Sequence, residues 1–265
     1  RRMIVGARER VIMIDVDGVS VPTPRKKTRS TRNGGVKPEI KEKFLGGCVL
    51  RQPLVPLNDR QADYIKAIQT TPFVICLGVW GSSKSFIPAT IAADLLVDKK
   101  IEKVIIARPN EGKGKTIGLL PGSKDEKLAI WCAPITDTMR KRMGDGHYEA
   151  MLANGRIELL NLEAVKGRSW DDTFVIVDEA EDIDPEVAKS LVGRQGTNSF
   201  TVVTGDRAQQ DLKRNSGLQF LIDVAEYSNL PVSIINFDSW DYCVRSEEAK
   251  MWGMAFEKFD KRGDK

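Results

Sequence analysis

Six short apolar runs set most of the constraints on this chain: FVICLG at 73–78, VIIAR at 104–108, RIELLNL at 156–162, FVIVDEA at 174–180, FTVVTGD at 200–206 and VSIINF at 232–237. Near-continuous Val, Ile and Leu is what a strand requires when both of its faces are buried. Helical patterns fall between them, at 59–69, 85–98, 184–193 and 245–260. Strands alternating with helices point to an α/β fold, a mostly parallel sheet with helices on both faces. Ligands of such sheets bind beyond the carboxyl ends of the strands, so the residues that follow each run matter most.

The alternation begins only after Pro56. Residues 1–55 read as a small N-terminal extension and residues 56–265 as the α/β domain. The extension carries most of the basic charge: residues 1–60 hold 14 Lys/Arg against 6 Asp/Glu, a net +8, while the whole chain is +4. The excess lies in PRKKTRSTRNGG, residues 24–35, a stretch with no aliphatic or aromatic residue. Such a segment is either a solvated linker or an electrostatic arm for nucleic acid phosphates. Without interleaved aromatics it is not a base-stacking surface. Asp15, Asp17 and Gly18 form a D-x-D-G turn of the haloacid-dehalogenase kind, but the basic linker follows at once where that fold needs further α/β chain.

Other classes drop out. No apolar run nears the roughly 20 residues of a membrane span, and the first ten residues are too polar for a secretory leader. The four cysteines, Cys48, Cys76, Cys132 and Cys243, are scattered with no C-x-x-C pair. Neither a disulfide framework nor a zinc site is expected, and a reducing cytoplasm fits best. Cys76 falls in an apolar run and reads as a small buried hydrophobe. His147, the single histidine, lies in the polar stretch MGDGHYE and reads as a surface residue.

Three run ends carry chemistry. After the first comes GVWGSSKS, residues 78–85, close to the phosphate-loop pattern G-x-x-x-x-G-K-[ST]. Glycines let backbone N–H groups converge on phosphate oxygens, the next helix adds its positive end, Lys a point charge and Ser a magnesium ligand. Gly78, Gly81, Lys84 and Ser85 provide these elements, with Ser82 and Ser83 completing the loop. FVIVDEAE follows the pattern of a buried strand ending in two carboxylates. Asp178 would hold magnesium through water and Glu179 would orient and deprotonate an attacking water. In VVTGDRAQQDL, Gly205 gives a tight exit, Asp206 stands at the strand end, and Gln209 is placed to sense a γ-phosphate or its attacking water.

Taken in order, these residues resemble the PhoH-like P-loop ATPases. The resemblance runs from residue 56 to about 250. NDRQADYIKAI resembles the family's adenine-recognition segment, with Gln61 at its glutamine position. ARPNEGKGKTIGLLPGSKDEK carries Arg108, Pro109, Gly118, Leu120, Pro121, Gly122 and Lys127 of another segment. KGRSWDDTFVIVDEAE, TGDRAQQDL with SGL, and DYCVRS complete the series. The resemblance implies a single RecA-like P-loop domain that binds ATP and Mg2+, hydrolyses ATP and has links to RNA or single-stranded nucleic acid. It also implies a homo-oligomeric ring with ATP at the seam. There a neighbour's arginine reaches the γ-phosphate, with Arg168, Arg194 and Arg245 as candidates by position.

The chain departs from the family's G-P-A-G-T-G-K-T loop. Ser83 replaces a glycine, which is unfavourable if that position needs positive φ, and Trp80 replaces a small residue. Pro88 falls early in the following helix, where its missing N–H would otherwise reach Lys84; if that bond normally forms, its loss costs roughly 3 kcal/mol or a kink. Glu181 replaces a glutamine and adds negative charge, while Lys115 stands where the family has glutamate. These departures support an alternative reading, a nucleotide-binding scaffold with weak or no hydrolysis.

Overall fold

Each central strand sends alternate side chains to opposite faces, and this period of two divides the interior into two apolar layers. Val74 and Cys76, Val104 and Ile106, and Phe174 and Ile176 enter one layer. Phe73, Ile75 and Leu77, Ile105 and Ala107, and Val175 and Val177 enter the other. Both faces being covered explains why no polar alternation is visible in these runs.

The structure is a computed structural model that describes residues 51–109, 111–112, 115–116, 124–162, 169–206 and 216–262. The basic arm, Asp15, Asp17, Arg168 and Gln209 lie outside the described residues.

The elements in chain order are α1 (Asp59–Thr70), β1 (Phe73–Gly78), α2 (Phe86–Val97), β2 (Lys103–Arg108), the short strands β3 (Glu111–Gly112) and β4 (Lys115–Thr116), α3 (Lys124–Met143) and α4 (Asp145–Ala153). There follow β5 (Ile157–Asn161), β6 (Thr173–Val177), α5 (Pro185–Val192), β7 (Phe200–Gly205), α6 (Gly217–Tyr227), β8 (Val232–Phe237) and α7 (Glu247–Asp260). All six expected strands form one sheet, in the order β5-β2-β6-β7-β1-β8, with every pairing parallel. The sandwich of helices and parallel sheet is the expected α/β fold. β6 stops at Val177, short of the expected Ala180, because Glu179 turns the chain into a left-handed conformation and Ala180–Asp182 form a 3-10 turn.

α2 runs along the sheet and is buried almost all round, with Ala89, Ala92 and Ala93 fully covered. Its small residues let α1, α3 and the sheet approach it. Three helices, α3, α4 and α6, stand beyond the four that periodicity suggested. α3 hides its pattern behind Pro134, which lies inside it, whereas α6 had a legible start in Ser216, whose hydroxyl accepts from the N–H groups of Leu218 and Gln219. The body begins earlier than residue 56. Arg51 pairs with Asp94 on α2 and with Asp98 at its carboxyl cap, and Leu54 packs on the core. His147 is half-buried, and its Nε2 has no hydrogen-bond partner among the described residues, so it is not the plain surface residue expected. No helix of the described residues is long and apolar enough to cross a membrane.

Candidate active site

The carboxyl ends of β1, β2, β6 and β7 open into one cavity, with Lys84, Ser85, Arg108, Asp178, Glu179 and Asp206 in its wall. β1 and β6 are not neighbours; β7 lies between them. The loop after β1 therefore faces the carboxylates after β6 across one strand's width.

The loop's backbone explains its glycines. Gly78 has φ 129° and Gly81 φ 72°. A Cβ on Gly78 would come within 2.2 Å of the Phe237 carbonyl oxygen, and one on Gly81 within 2.8 Å of Cys243 Sγ. Ser83, at φ 71°, shows that its position demands the left-handed region. A side chain there costs on the order of 1–2 kcal/mol.

Three groups brace the strained loop. Ser82, wholly buried, donates from Oγ to the Val79 carbonyl at 2.8 Å. Gln61, also buried, accepts the Leu57 N–H on Oε1 at 2.9 Å and directs Nε2 to the Ser82 carbonyl and Ser83 Oγ at 3.5 and 3.4 Å. Its carboxamide thus supports the loop from behind. Tyr64 donates its hydroxyl to the Lys84 carbonyl at 2.9 Å, and burial pushes its pKa well above the usual tyrosine value.

That last bond corrects the expectation about Pro88. α2 is continuous. Ile87 and Ala89 donate to Ser83 and Ser85, and the Lys84 carbonyl left without a helical donor between them is taken by Tyr64. Pro88 sits in the first turn, where the ring is tolerated.

Lys84 lies across its own loop, Nζ donating to the Gly78 and Val79 carbonyls at 2.5 and 2.8 Å. Ser85 Oγ donates to Asp178 Oδ1 at 2.6 Å. Thr204 Oγ1 donates to the same oxygen at 2.6 Å. Asp178 is only 6% exposed, so two hydroxyls on one oxygen offset much of its lost hydration. Thr204 escaped the sequence reading, although its place just before Gly205 at a strand end was a usable signal.

Glu179 has φ 54° and ψ 49°, a second strained residue in the wall. Its carboxylate pairs with Arg108. Arg108, noted in the sequence only within a segment, is the cation of the carboxylate wall. Glu181 is buried and accepts the Asp206 N–H at 3.2 Å, which ties the exits of β6 and β7 together. The side chain of Lys115 is outside the described residues. Burial pushes the thiols of Cys76 and Cys132 up to about 12, against the opposing charges of Lys84 and Arg108 respectively. Both are inert packing groups, as expected for Cys76.

Of the three arginine candidates, Arg245 lines the cavity of its own chain. It is carried there because Val244 donates its N–H to the Gly81 carbonyl at 2.9 Å. Arg194 is at the opposite end of the sheet, where its carbonyl accepts from Trp170 just ahead of β6. Trp80 lines the cavity and packs edge-on against Trp240 and Phe256 at 5.4 and 6.2 Å, joining the loop to α7.

A family model described as PhoH-like protein matches residues 53–257. Protein PhoH of Escherichia coli K12 is 32% identical over 198 residues, covering 73% of this chain and 55% of that protein. A PhoH-like protein of Bacillus subtilis is 30% identical over 204 residues, 76% of this chain and 62% of that one. The chain thus spans a little over half the length of these relatives. Among solved structures, the UvsW helicase of bacteriophage T4 is similar over 69% of this chain and 60% of that chain, at 13% identity and a TM-score of 0.43, a distant likeness. With the matched region running from before α1 into α7, the chain belongs to the PhoH-like protein family.

Proposed function

We propose that this protein binds ATP with Mg2+ and hydrolyses it, and that turnover serves work on RNA or another single-stranded nucleic acid. One observation carries the reading: Lys84 and Ser85 after β1 and Asp178 and Glu179 after β6 meet in a single cavity at the carboxyl edge of the sheet.

The loop amides between Gly78 and Lys84 receive phosphate oxygens, helped by the amino end of α2. Lys84 exchanges its two loop carbonyls for those oxygens. Ser85 Oγ and Asp178 Oδ1, 2.6 Å apart, are hard oxygen donors of the kind Mg2+ takes alongside substrate phosphates and water. They fit that ion, with Ser85 as a direct ligand and Asp178 acting through water. When bound, Mg2+ supplies positive charge at the phosphoryl group being transferred. Thr204 fixes the rotamer of Asp178. Glu179 orients the attacking water and accepts its proton, Asp206 stands on the γ-phosphate side, and Gln209 is assigned to sense the γ-phosphate. Arg245 acts within its own chain, which leaves Arg168 or Arg194 as the arginine that a neighbour in a homo-oligomeric ring would insert. The basic extension, residues 1–50, anchors nucleic acid.

ATPase rates of the wild type, Lys84→Ala and Glu179→Gln test the reading. Both variants are expected to fall by about a hundredfold or more, Glu179→Gln through loss of the positioned general base and Lys84→Ala through loss of its charge at the phosphates. Equal rates in all three overturn it. The strain at Ser83, and the engagement of Lys84 and Glu179 with the protein itself, support a second reading of the same site as a nucleotide-binding scaffold that turns over slowly.

A further inference from the structure

The side chain of Arg108 is 10% exposed and fully committed. One terminal nitrogen donates to the Trp131 carbonyl on α3. The other pairs with Glu179 Oε1, and Nε lies 3.7 Å from Asp178 Oδ2. Asp178 Oδ1 is already taken by Ser85 and Thr204. Every carboxylate oxygen of Asp178 therefore has a protein partner, and the proposed water-activating Glu179 is turned toward a guanidinium. A planar fork can span two adjacent carboxylates in this way where an ammonium cannot.

Resting on the nucleotide reading above, we propose that Arg108 is an interlock. It substitutes for the divalent cation as counter-charge to Asp178 and Glu179, and it withholds Glu179 until the cation enters. The argument is electrostatic. Asp178 carries its negative charge while only 6% exposed, with the more exposed Glu179 beside it, and a buried carboxylate needs a cation close by. Arg108 supplies it in this structure. A divalent ion at Ser85 and Asp178 brings positive charge next to the guanidinium and satisfies Asp178 itself, so the pairing with Arg108 weakens. Glu179, already on a strained backbone and largely solvent-facing, is then released toward water. Arg108 is a positioning residue by this account, acting through Glu179 and Asp178. Its release makes water activation conditional on a cation-loaded site.

Because Arg108 and the cation compete, removing the arginine should strengthen metal binding, whereas loss of a merely structural residue would weaken it. The probe is Mn2+ alone, titrated into the full chain without nucleotide and followed by electron paramagnetic resonance. Arg108→Gln, which keeps a donor for the Trp131 carbonyl, is expected to bind Mn2+ about tenfold more tightly than wild type, within the usual range of coupling between sites. Arg108→Lys retains the charge without the fork and should show a smaller gain, which keeps the test decisive if the glutamine variant does not fold. Mn2+ affinity equal to or weaker than wild type in a folded Arg108 variant overturns the interlock. Asp178→Asn separates the two levels: loss of Mn2+ binding in that variant supports the site on which the interlock rests, and binding that persists overturns the site and the interlock together.

Discussion

At the scale of single residues, the cavity concentrates backbone strain. Ser83 and Glu179 both hold left-handed conformations, and each faces the place where phosphate chemistry is proposed. Glycine at position 83 removes a side-chain penalty of roughly 1–2 kcal/mol, offset by about 0.5–1 kcal/mol of extra unfolded-state entropy. Ser83→Gly is thus expected to be stabilised by at most about 1.5 kcal/mol in a urea melt. Its ATPase rate carries more information. A severalfold rise identifies an enzyme limited by its loop, while an unchanged low rate favours the scaffold reading. The sequence marked Ser83 as conditional on the sign of φ, and only the folded loop supplies that sign. For Gln61, which the resemblance assigns to adenine, the fold adds contacts of its carboxamide to Leu57, Ser82 and Ser83.

At the scale of elements, α1 and α2 are coupled through one hydrogen bond that periodicity could not reveal. Tyr64 on α1 caps the Lys84 carbonyl that Pro88 leaves open. Tyr64→Phe strands a buried carbonyl and should lower stability by about 1–3 kcal/mol. Pro88→Ala restores a helical donor, so the same Tyr64→Phe change in that background should cost at least about 1 kcal/mol less. Chemical denaturation of the four proteins of this cycle measures the coupling, and additivity of the two changes would refute it. The strands were readable because burial on both faces writes itself as unbroken Val/Ile/Leu. α3 was not, because it interrupts its own pattern with proline and its place is set by packing on α2 and the sheet.

At the scale of the whole molecule, the division between arm and body moves. Arg51 is tied by ion pairs to α2, so a truncation that isolates the body ends at residue 50 rather than 55. Removing residues 1–50 is expected to leave the thermal midpoint nearly unchanged. It should weaken binding to single-stranded RNA and flatten the salt dependence by about 0.7 in slope for each phosphate that the arm would have neutralised. Unaltered affinity and slope would take the arm out of the account. What the sequence alone determined is the architecture and the chemical inventory. Six doubly buried runs force a parallel α/β sheet, and the residues at their ends name a phosphate loop, two carboxylates and a third polar edge. Those are local properties, fixed by side-chain periodicity and by which residue follows which strand. What only the tertiary structure decided is who holds whom across the cavity. Thr204 and Ser85 share one oxygen of Asp178, Arg108 spans Asp178 and Glu179, Tyr64 stands in for the N–H of Pro88, and Arg245 sits beside its own loop. Each pairing joins segments from different elements, and distance and orientation between such segments exist only once the sheet has set its strand order.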